Sequence, residues 1–385
     1  MKVILSGGGT AGHIYPALAL AHRLITSSDE VLYVGTPDSL EQKLACDAGI
    51  AFVALDVRPL ESDYTIWRGP DRAHYSTLIT APLSWLRARR PALRIIDTFH
   101  PDVVIGFGGY VCAPIVWAAA RRAVPIVLHE QNSVMGKANA QLAKQATSVA
   151  LTFDTAREQA ERSTDGQVIT TGNPVRPEML ATSREQARAQ LGLDEDDVFV
   201  LVFGGSRGAR NLNKGFAAIA RKLLEDPRVR LMHATGPRDH AQIAEMLGNR
   251  EELGDRYHLV DYIDRMDTIM PAADLVISRA GSTSIAEIAA LAIPSILVPF
   301  PHATGDHQRK NARALTEVGA AVMLDDDDLD TPLFGKTVTD LIADQNTREE
   351  MSRRSRSLAT QDALSALEHV ARTSAQAGRA KIGER

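Results

Sequence analysis

The sequence predicts an α/β protein of two similar domains, each a parallel sheet covered by helices, facing a shared cleft. Three observations carry that prediction. At 385 residues the chain exceeds what one ordinary hydrophobic core organises. Short apolar runs alternate with helical patterns from end to end, as in a sheet whose parallel strands are joined by helices. Two glycine-rich loops, about half a chain apart, each follow a buried-strand pattern and open a helix. The first is Gly7-Gly8-Gly9-Thr10-Ala11-Gly12-His13, and the second is Gly204-Gly205-Ser206-Arg207-Gly208-Ala209-Arg210. Strand, glycines and helix in that order place backbone N–H groups at a helix N-terminus, where an anion binds.

In the first half, strands are expected at residues 3–6, 31–34, 52–55, 103–106, 126–129 and 148–151. Helices are expected at 17–25, 39–48, 115–122 and 133–145, the last with Ser133 as its N-cap. The second half gives strands at 198–203, 231–235, 258–260, 275–278, 295–298 and 321–324. Its helices fall at 212–224, 239–247, 283–291, 308–318 and 349–358. The run Thr170-Thr171-Gly172-Asn173-Pro174-Val175-Arg176-Pro177 has the turn chemistry of a junction. It sets the domains at 1–176 and 177–385, with the final helix open to crossing back onto the first. Residues 56–94 are polar and proline-interrupted, which suggests an insertion or mobile loop. Small and charged residues from Ser374 onward suggest a frayed end.

Composition narrows the classes. With 44% apolar and 24% charged residues the chain reads as globular, and a net charge of -5 argues against a nucleic-acid binder. Cys46 and Cys112 lie far apart without zinc spacing, which fits structural thiols in a reducing compartment. The apolar run before the first glycines is too short for a signal peptide. The longest apolar stretch, 111–120, is cut by Pro114 and ended by Arg121-Arg122, too short for a membrane span. A cytoplasmic protein, at most peripheral to a membrane, is expected.

The polar residues of interest stand where strands end. Thr10 and the backbone of Ala11-Gly12 suit a phosphate or sugar, with His13 at the helix start. Phe107-Gly108-Gly109-Tyr110 and His129-Glu130-Gln131-Asn132 also follow strands, where ligands of open α/β sheets collect. His129 and Glu130 offer a base, and Asn132 an amide for hydroxyls. Arg176 and Ser206 offer a guanidinium and a hydroxyl for a diphosphate, unless Arg176 is a structural ion pair and Ser206 a helix cap. In Arg279-Ala280-Gly281-Ser282 through Glu287, Ser282 is expected to cap a helix whose Glu287 carboxylate can accept both ribose hydroxyls. His302, Asp306 and His307 share one loop without a zinc pattern, so no metal site is expected. Leu83, Trp85 and Leu86 beside Arg87, Arg89, Arg90 and Arg94 suit an anionic membrane surface or an internally packed helix equally.

Taken together, residues 7–13, 108–110, 129–132, 172–176, 204–210, 282–287 and 306–312 resemble the MurG family. These are peripheral-membrane enzymes that add N-acetylglucosamine to lipid I in peptidoglycan synthesis. The resemblance runs from the first strand to about Ala321, and the combination of Gly-Asn-Pro-Val-Arg, Gly-Gly-Ser-x-Gly-Ala and Ala-Glu-Ile-Ala is specific to it. It implies a GT-B glycosyltransferase of two Rossmann-like domains, the acceptor held by the first and UDP-N-acetylglucosamine mainly by the second. By matching position, the Ile263 backbone would meet the uracil and Glu287 the ribose. Arg176, Ser206 and Ser282 would surround the diphosphate. Asn132 and Gln308 would bind the sugar, with Thr10, Ala11 and Gly12 where donor and acceptor meet. His13, Tyr110, His129 and Glu130 would face the acceptor. Further implications are the anionic inner membrane surface, contacts with other cell-wall synthesis or division proteins, and no required cofactor or protein-bound metal, with room for stimulation by a divalent cation that the protein does not hold. The first loop reads Thr-Ala-Gly-His where many members have Thr-Gly-Gly-His, and residues 56–94 are longer than the family pattern.

The implied reaction is a single displacement at the anomeric carbon, with inversion, by the muramyl C4 hydroxyl. His13 is the first candidate for the base, with His129 or Glu130 as alternatives. Two rival readings are a UDP-N-acetylglucosamine 2-epimerase of the same fold and a non-catalytic sugar-nucleotide-binding subunit.

Overall fold

Apolar runs with side chains alternating between two faces build two parallel sheets. The structure, a computed structural model, describes residues 1–57, 74–205, 209–248, 250–356 and 362–383. The chain divides into two units, Met1–Pro174 with Asp362–Arg385, and Val175–Gln361. The sequence-based boundary at 176/177 falls two residues later, and the last segment groups with the first unit.

The first unit holds strands β1 (Lys2–Ser6), β2 (Glu30–Gly35), β3 (Ala51–Ala54), β4 (Val103–Gly106), β5 (Ile126–Glu130), β6 (Ser148–Leu151) and β7 (Gln167–Thr170). Their order across the sheet is β3-β2-β1-β4-β5-β6-β7, all parallel. Helices α1 (Ala11–Thr26), α2 (Leu40–Asp47), α3 (His74–Phe99), α4 (Cys112–Arg121) and α5 (Lys137–Leu142) connect them. Period-2 alternation puts Val3 and Leu5 into one core and Ile4 into the other, so β1 is buried on both faces. The chain leaves β1 towards β2 on one side and resumes at β4 on the other, so the sheet switches direction between β1 and β4. Ser6 pairs with Gly106 and Gly106 with Leu128, so the loops leaving β1, β4 and β5 emerge side by side.

The second unit repeats the plan with β8 (Val198–Phe203), β9 (Val229–Ala234), β10 (Tyr257–Val260), β11 (Leu275–Ser278), β12 (Ser295–Leu297) and β13 (Ala321–Met323). Their order is β10-β9-β8-β11-β12-β13, with the switch between β8 and β11.

Four expectations are corrected. Residues 74–94 are not a loop but most of α3; Ala88, Ala92 and Ile96 are buried one turn apart, and that packing outweighs the helix-breaking effect of Pro91. The rest of the expected insertion, 58–73, lies outside the described residues. The helix expected at 133–145 with Ser133 as cap starts only at Lys137, with Gly136 as N-cap, because residues 131–136 are held in a loop by Glu130. Strand β7 was not expected. The chain end is not frayed from Ser374: the helix Ala363–Gly383 buries Leu367, Val370, Ala371 and Ala375 in the first unit's core. Ser374 Oγ meets Ser148 Oγ at 3.1 Å, and Arg372 pairs with Asp29 at 2.7 Å.

Candidate active site

At the sheet switch of the first unit, the loops leaving β1 and β4 meet at His13. In the first turn of α1 its ring folds back, placing Nδ1 2.9 Å from the Gly8 carbonyl oxygen and 3.3 Å from Thr10 Oγ1. A carbonyl only accepts, so in the neutral ring Nδ1 carries the proton and Nε2 the lone pair. Nε2 lies against the Gly108 backbone, where a Cβ would stand 3.2 Å away. Gly109 has φ +82°, and a Cβ there would meet the Gly8 carbonyl oxygen at 2.5 Å, so only glycine lets the two loops touch.

Buried groups back this joint. Tyr33 donates its hydroxyl to the Gly7 carbonyl at 2.7 Å. The Cys112 thiol lies 2.8 Å from the Ser6 carbonyl oxygen and 2.9 Å from that of Gly108. Burial pushes this thiol up to about 12, so it stays a neutral donor. Thr10 is exposed as the N-cap residue of α1, without a side-chain cap bond, and Ala11 and Gly12 are half-buried in its first turn. Tyr110 is half-buried in the β4 loop, its ring edge beside Gly9.

The two alternative bases are placed differently. His129 is fully buried; its Nε2–H donates to the Gly172 carbonyl at 3.0 Å, and Gln131 Nε2 donates to its Nδ1 at 3.0 Å. Burial drives its ionisation down to about 4, with the nearby His13 adding to the effect against the Gly172 bond. Both ring nitrogens are engaged, and the ring is neutral at physiological pH. Glu130, 1% exposed, accepts from the backbone N–H groups of Asn132 and Gly136 and from the side-chain amides of Asn132 and Asn139, at 2.8–3.1 Å. Its carboxylate organises the 131–136 loop and orients Asn132.

At the switch of the second unit, the loop leaving β8 reaches Gly205 before Ser206, which lies outside the described residues. The loop leaving β11 carries the buried Arg279, which donates to the carbonyls of Val298 and Pro299 and stands 2.6 Å from Asp326, off hydrogen-bond geometry. Ser282 does not cap the next helix. Gly281 is the N-cap and Ser282 the first residue of Ser282–Ala290, because the chain is already helical there. Within that helix Glu287 is buried and bonded to Arg176 Nη2 at 2.9 Å. Burial raises its carboxyl above the usual range, and the guanidinium only partly offsets this. Arg176 is thus joined to Glu287, the arrangement raised as its structural alternative. Ile263 is half-buried in the turn after β10, and Gln308 accepts from the Phe300 N–H at 2.9 Å, tying down the 300–308 loop. Among the described residues no cluster of histidines, cysteines and carboxylates could hold a metal, His302, Asp306 and His307 included.

Sequence reasoning missed the supporting groups Tyr33, Gln131 and Asn139. Tyr33 reaches Gly7 from 26 residues away, while Gln131 and Asn139 bond locally to His129 and Glu130, in turns that spacing alone does not single out.

Comparison with known proteins gives one answer along the chain. The glycosyltransferase family 28 N-terminal domain matches residues 3–151, and the family 28 C-terminal domain matches residues 199–369. A protein of Halothermothrix orenii is 38% identical over 92% of this chain and 94% of its own length. One of Desulforudis audaxviator is 41% identical over 89% of each. Both are UDP-N-acetylglucosamine–N-acetylmuramyl-(pentapeptide) pyrophosphoryl-undecaprenol N-acetylglucosamine transferases. The crystal structure of MurG from Acinetobacter baumannii superposes with a TM-score of 0.72 at 27% identity, covering 97% of this chain and 99% of that one. A UDP-N-acetylglucosamine 2-epimerase structure from Listeria monocytogenes, at 14% identity and TM-score 0.67, shares the fold alone. The chain therefore belongs to glycosyltransferase family 28, and within it to the MurG family of N-acetylglucosamine transferases.

Proposed function

We propose that this enzyme transfers N-acetylglucosamine from UDP-N-acetylglucosamine to the C4 hydroxyl of the muramyl unit of lipid I, with inversion, forming lipid II. The observation that carries the catalytic assignment is the His13 ring, with Nδ1 on the Gly8 carbonyl and Nε2 bearing the lone pair. As the C4 oxygen bonds to the anomeric carbon and the bond to UDP breaks, the hydroxyl proton passes to Nε2, and Nδ1–H stays on Gly8. The engagement of His129 and Glu130 favours His13 over both.

In the second unit, Glu287 would accept the ribose hydroxyls with Arg176 fixing its orientation. The growing charge on UDP would be met by that guanidinium and by the N-termini of the helices Arg210–Leu223 and Ser282–Ala290. Ser206, Ser282, the Ile263 backbone, Asn132 and Gln308 complete the donor contacts, and Thr10, Ala11 and Gly12 line the reacting centre. Tyr110 would contact the acceptor. No protein-bound metal enters this scheme; a divalent cation could stimulate turnover without being held by the protein, so chelation should at most slow transfer and not abolish it. Incubation with UDP-N-acetylglucosamine and a short-chain lipid I analogue tests the whole reading. Lipid II with a β-1,4 bond is expected; an epimer or binding without turnover would refute it.

The finer location is the cytoplasmic face of the cell membrane. No described helix is long and apolar enough to cross a membrane. On α3, Arg87, Arg90 and Arg94 are exposed beside Leu86, itself 51% exposed. Arg89 instead stacks on Trp117, its guanidinium carbon 4.0 Å from the ring centre. Sedimentation with anionic vesicles should fall on changing Arg87, Arg90 and Arg94 to glutamate, each basic residue contributing about 1 kcal/mol. Equal sedimentation would remove α3 from the contact.

A further inference from the structure

Behind the first glycine loop lies a carboxylate to which the site assigned above gives no role. Glu41, in the first turn of α2, is 2% exposed, and among the described residues no cation pairs with it. Its Oε1 accepts from the Thr36 hydroxyl at 2.6 Å and from the Thr36 N–H at 3.3 Å. A Cβ on Gly8 would stand 2.5 Å from that oxygen, and one on Gly35 would stand 2.8 Å from Glu41 Cγ. The acid is therefore packed directly on the peptide whose carbonyl receives His13 Nδ1–H. Burying a carboxylate without a cation is costly, and the fold places it at a peptide that selects a tautomer. In a dinucleotide-binding unit an acid near the end of the second strand would face a ribose. Here it is covered and turned towards the glycine loop.

We infer that Glu41 is a positioning residue for His13. Anchored by Thr36, it fixes the Gly8 peptide so that its carbonyl faces Nδ1, which leaves the lone pair on Nε2. Glu41 acts on Gly8 by packing, whereas Tyr33 holds the neighbouring Gly7 carbonyl by a hydrogen bond. The inference rests on the reading of His13 as base, but its geometry can be measured apart from turnover.

The test uses the full chain labelled with 15N-histidine, as parent, Glu41→Gln and Glu41→Ala, with His13→Gln to identify the His13 signals. Parent and Glu41→Gln should hold His13 in the Nδ1–H tautomer at pH 8, since glutamine Oε1 still accepts from Thr36. Glu41→Ala should give mixed tautomers and a kcat about 10–100-fold lower, the usual cost of a misplaced catalytic group, with donor KM within about twofold. An unchanged tautomer or kcat in a folded Glu41→Ala protein overturns the inference, as does Glu41→Gln damage equal to that of alanine. Should Glu41→Ala not fold, Thr36→Val removes the hydroxyl alone and should shift the tautomer in part; no shift overturns the inference. Normal turnover in His13→Ala would instead refute the base assignment, leaving the tautomer readout to judge Glu41 by itself.

Discussion

The two glycine loops read alike in sequence, yet the glycines described in the two units have opposite surroundings. In the first unit protein atoms crowd Gly7, Gly8 and Gly109. An added Cβ would stand 2.9 Å from Phe107 at Gly7, 2.5 Å from Glu41 at Gly8 and 2.5 Å from the Gly8 carbonyl at Gly109. In the second unit, among the described residues, nothing lies within 4 Å of a Cβ at Gly205, and the nearest atom at Gly281 is Ser284 Oγ at 3.9 Å. The first set of glycines lets backbone pack on backbone and so fixes a histidine. The second set faces open space, where a ligand can approach the chain closely. One signature thus serves two physical ends, and under the proposed function these would be a packed joint for a base and an open cradle for an anion.

The largest effect expected of this contrast is catalytic. His13→Ala should lower kcat by roughly 10²–10⁴, the range for losing a general base, with UDP affinity unchanged because the donor groups named above lie mainly in the other unit. Steady-state kinetics and isothermal titration read the two halves separately. Near-normal turnover would dissolve the division of labour. Next in size is stability. Gly109→Ala meets both a positive φ and a 2.5 Å clash, and should cost about 3 kcal/mol or more in denaturant unfolding. Gly205→Ala, with φ +85° and space around it, should cost about 1–2 kcal/mol. Similar losses at both positions would mean that the loops do not differ as described.

On the donor side, Glu287→Ala should weaken UDP binding by about 1.5–3 kcal/mol, typical of hydrogen bonds to a charged group. Part of that loss would come from Arg176, deprived of its carboxylate, so Arg176→Ala and the double variant belong in the same titration. Losses in the double variant that fall short of the sum would show that the two act as one unit. Unchanged UDP affinity in a folded Glu287→Ala protein would end the ribose assignment.

What the sequence made legible follows the same division. The core strands stood out because residues such as Val3, Ile4 and Leu5 are buried on both sheet faces and leave an unbroken apolar run. Strand ends stood out because glycine and polar residues must follow them. The α3 helix was hidden by Pro91, which long-range packing of Ala88, Ala92 and Ile96 outweighs. The end of the last helix, from Ser374, was hidden by small residues that matter only against a partner surface, as Gly378 does beneath Pro125. Nor could spacing choose among His13, His129 and Glu130. That choice depends on which polar groups the fold brings to each, such as the Gly172 carbonyl reaching His129 from 43 residues away.

The smallest expected effect is one on which the two units agree, and it separates packing from catalysis. His129 in the first unit and His233 in the second are both buried and held neutral, their ionisation driven down to about 4 and about 3 by desolvation. His233 is engaged at both nitrogens, 2.8 Å from the Tyr257 hydroxyl and 3.2 Å from Asn213 Oδ1. Because the folded values lie below the ~6.5 of an unfolded chain, the unfolded state takes up protons first as pH falls. Each histidine therefore contributes stability that is full above about 6.5 and is lost progressively towards its folded value. At pH 5.5 the loss per histidine is about 1.4 kcal/mol. His129→Gln, which does not titrate in this range, should lower stability at pH 7.5 and flatten the fall between pH 7 and 5. Denaturant unfolding at several pH values measures the slope. A slope equal to that of the parent would mean that His129 charges within the fold, which would return it to the list of groups able to take the acceptor proton.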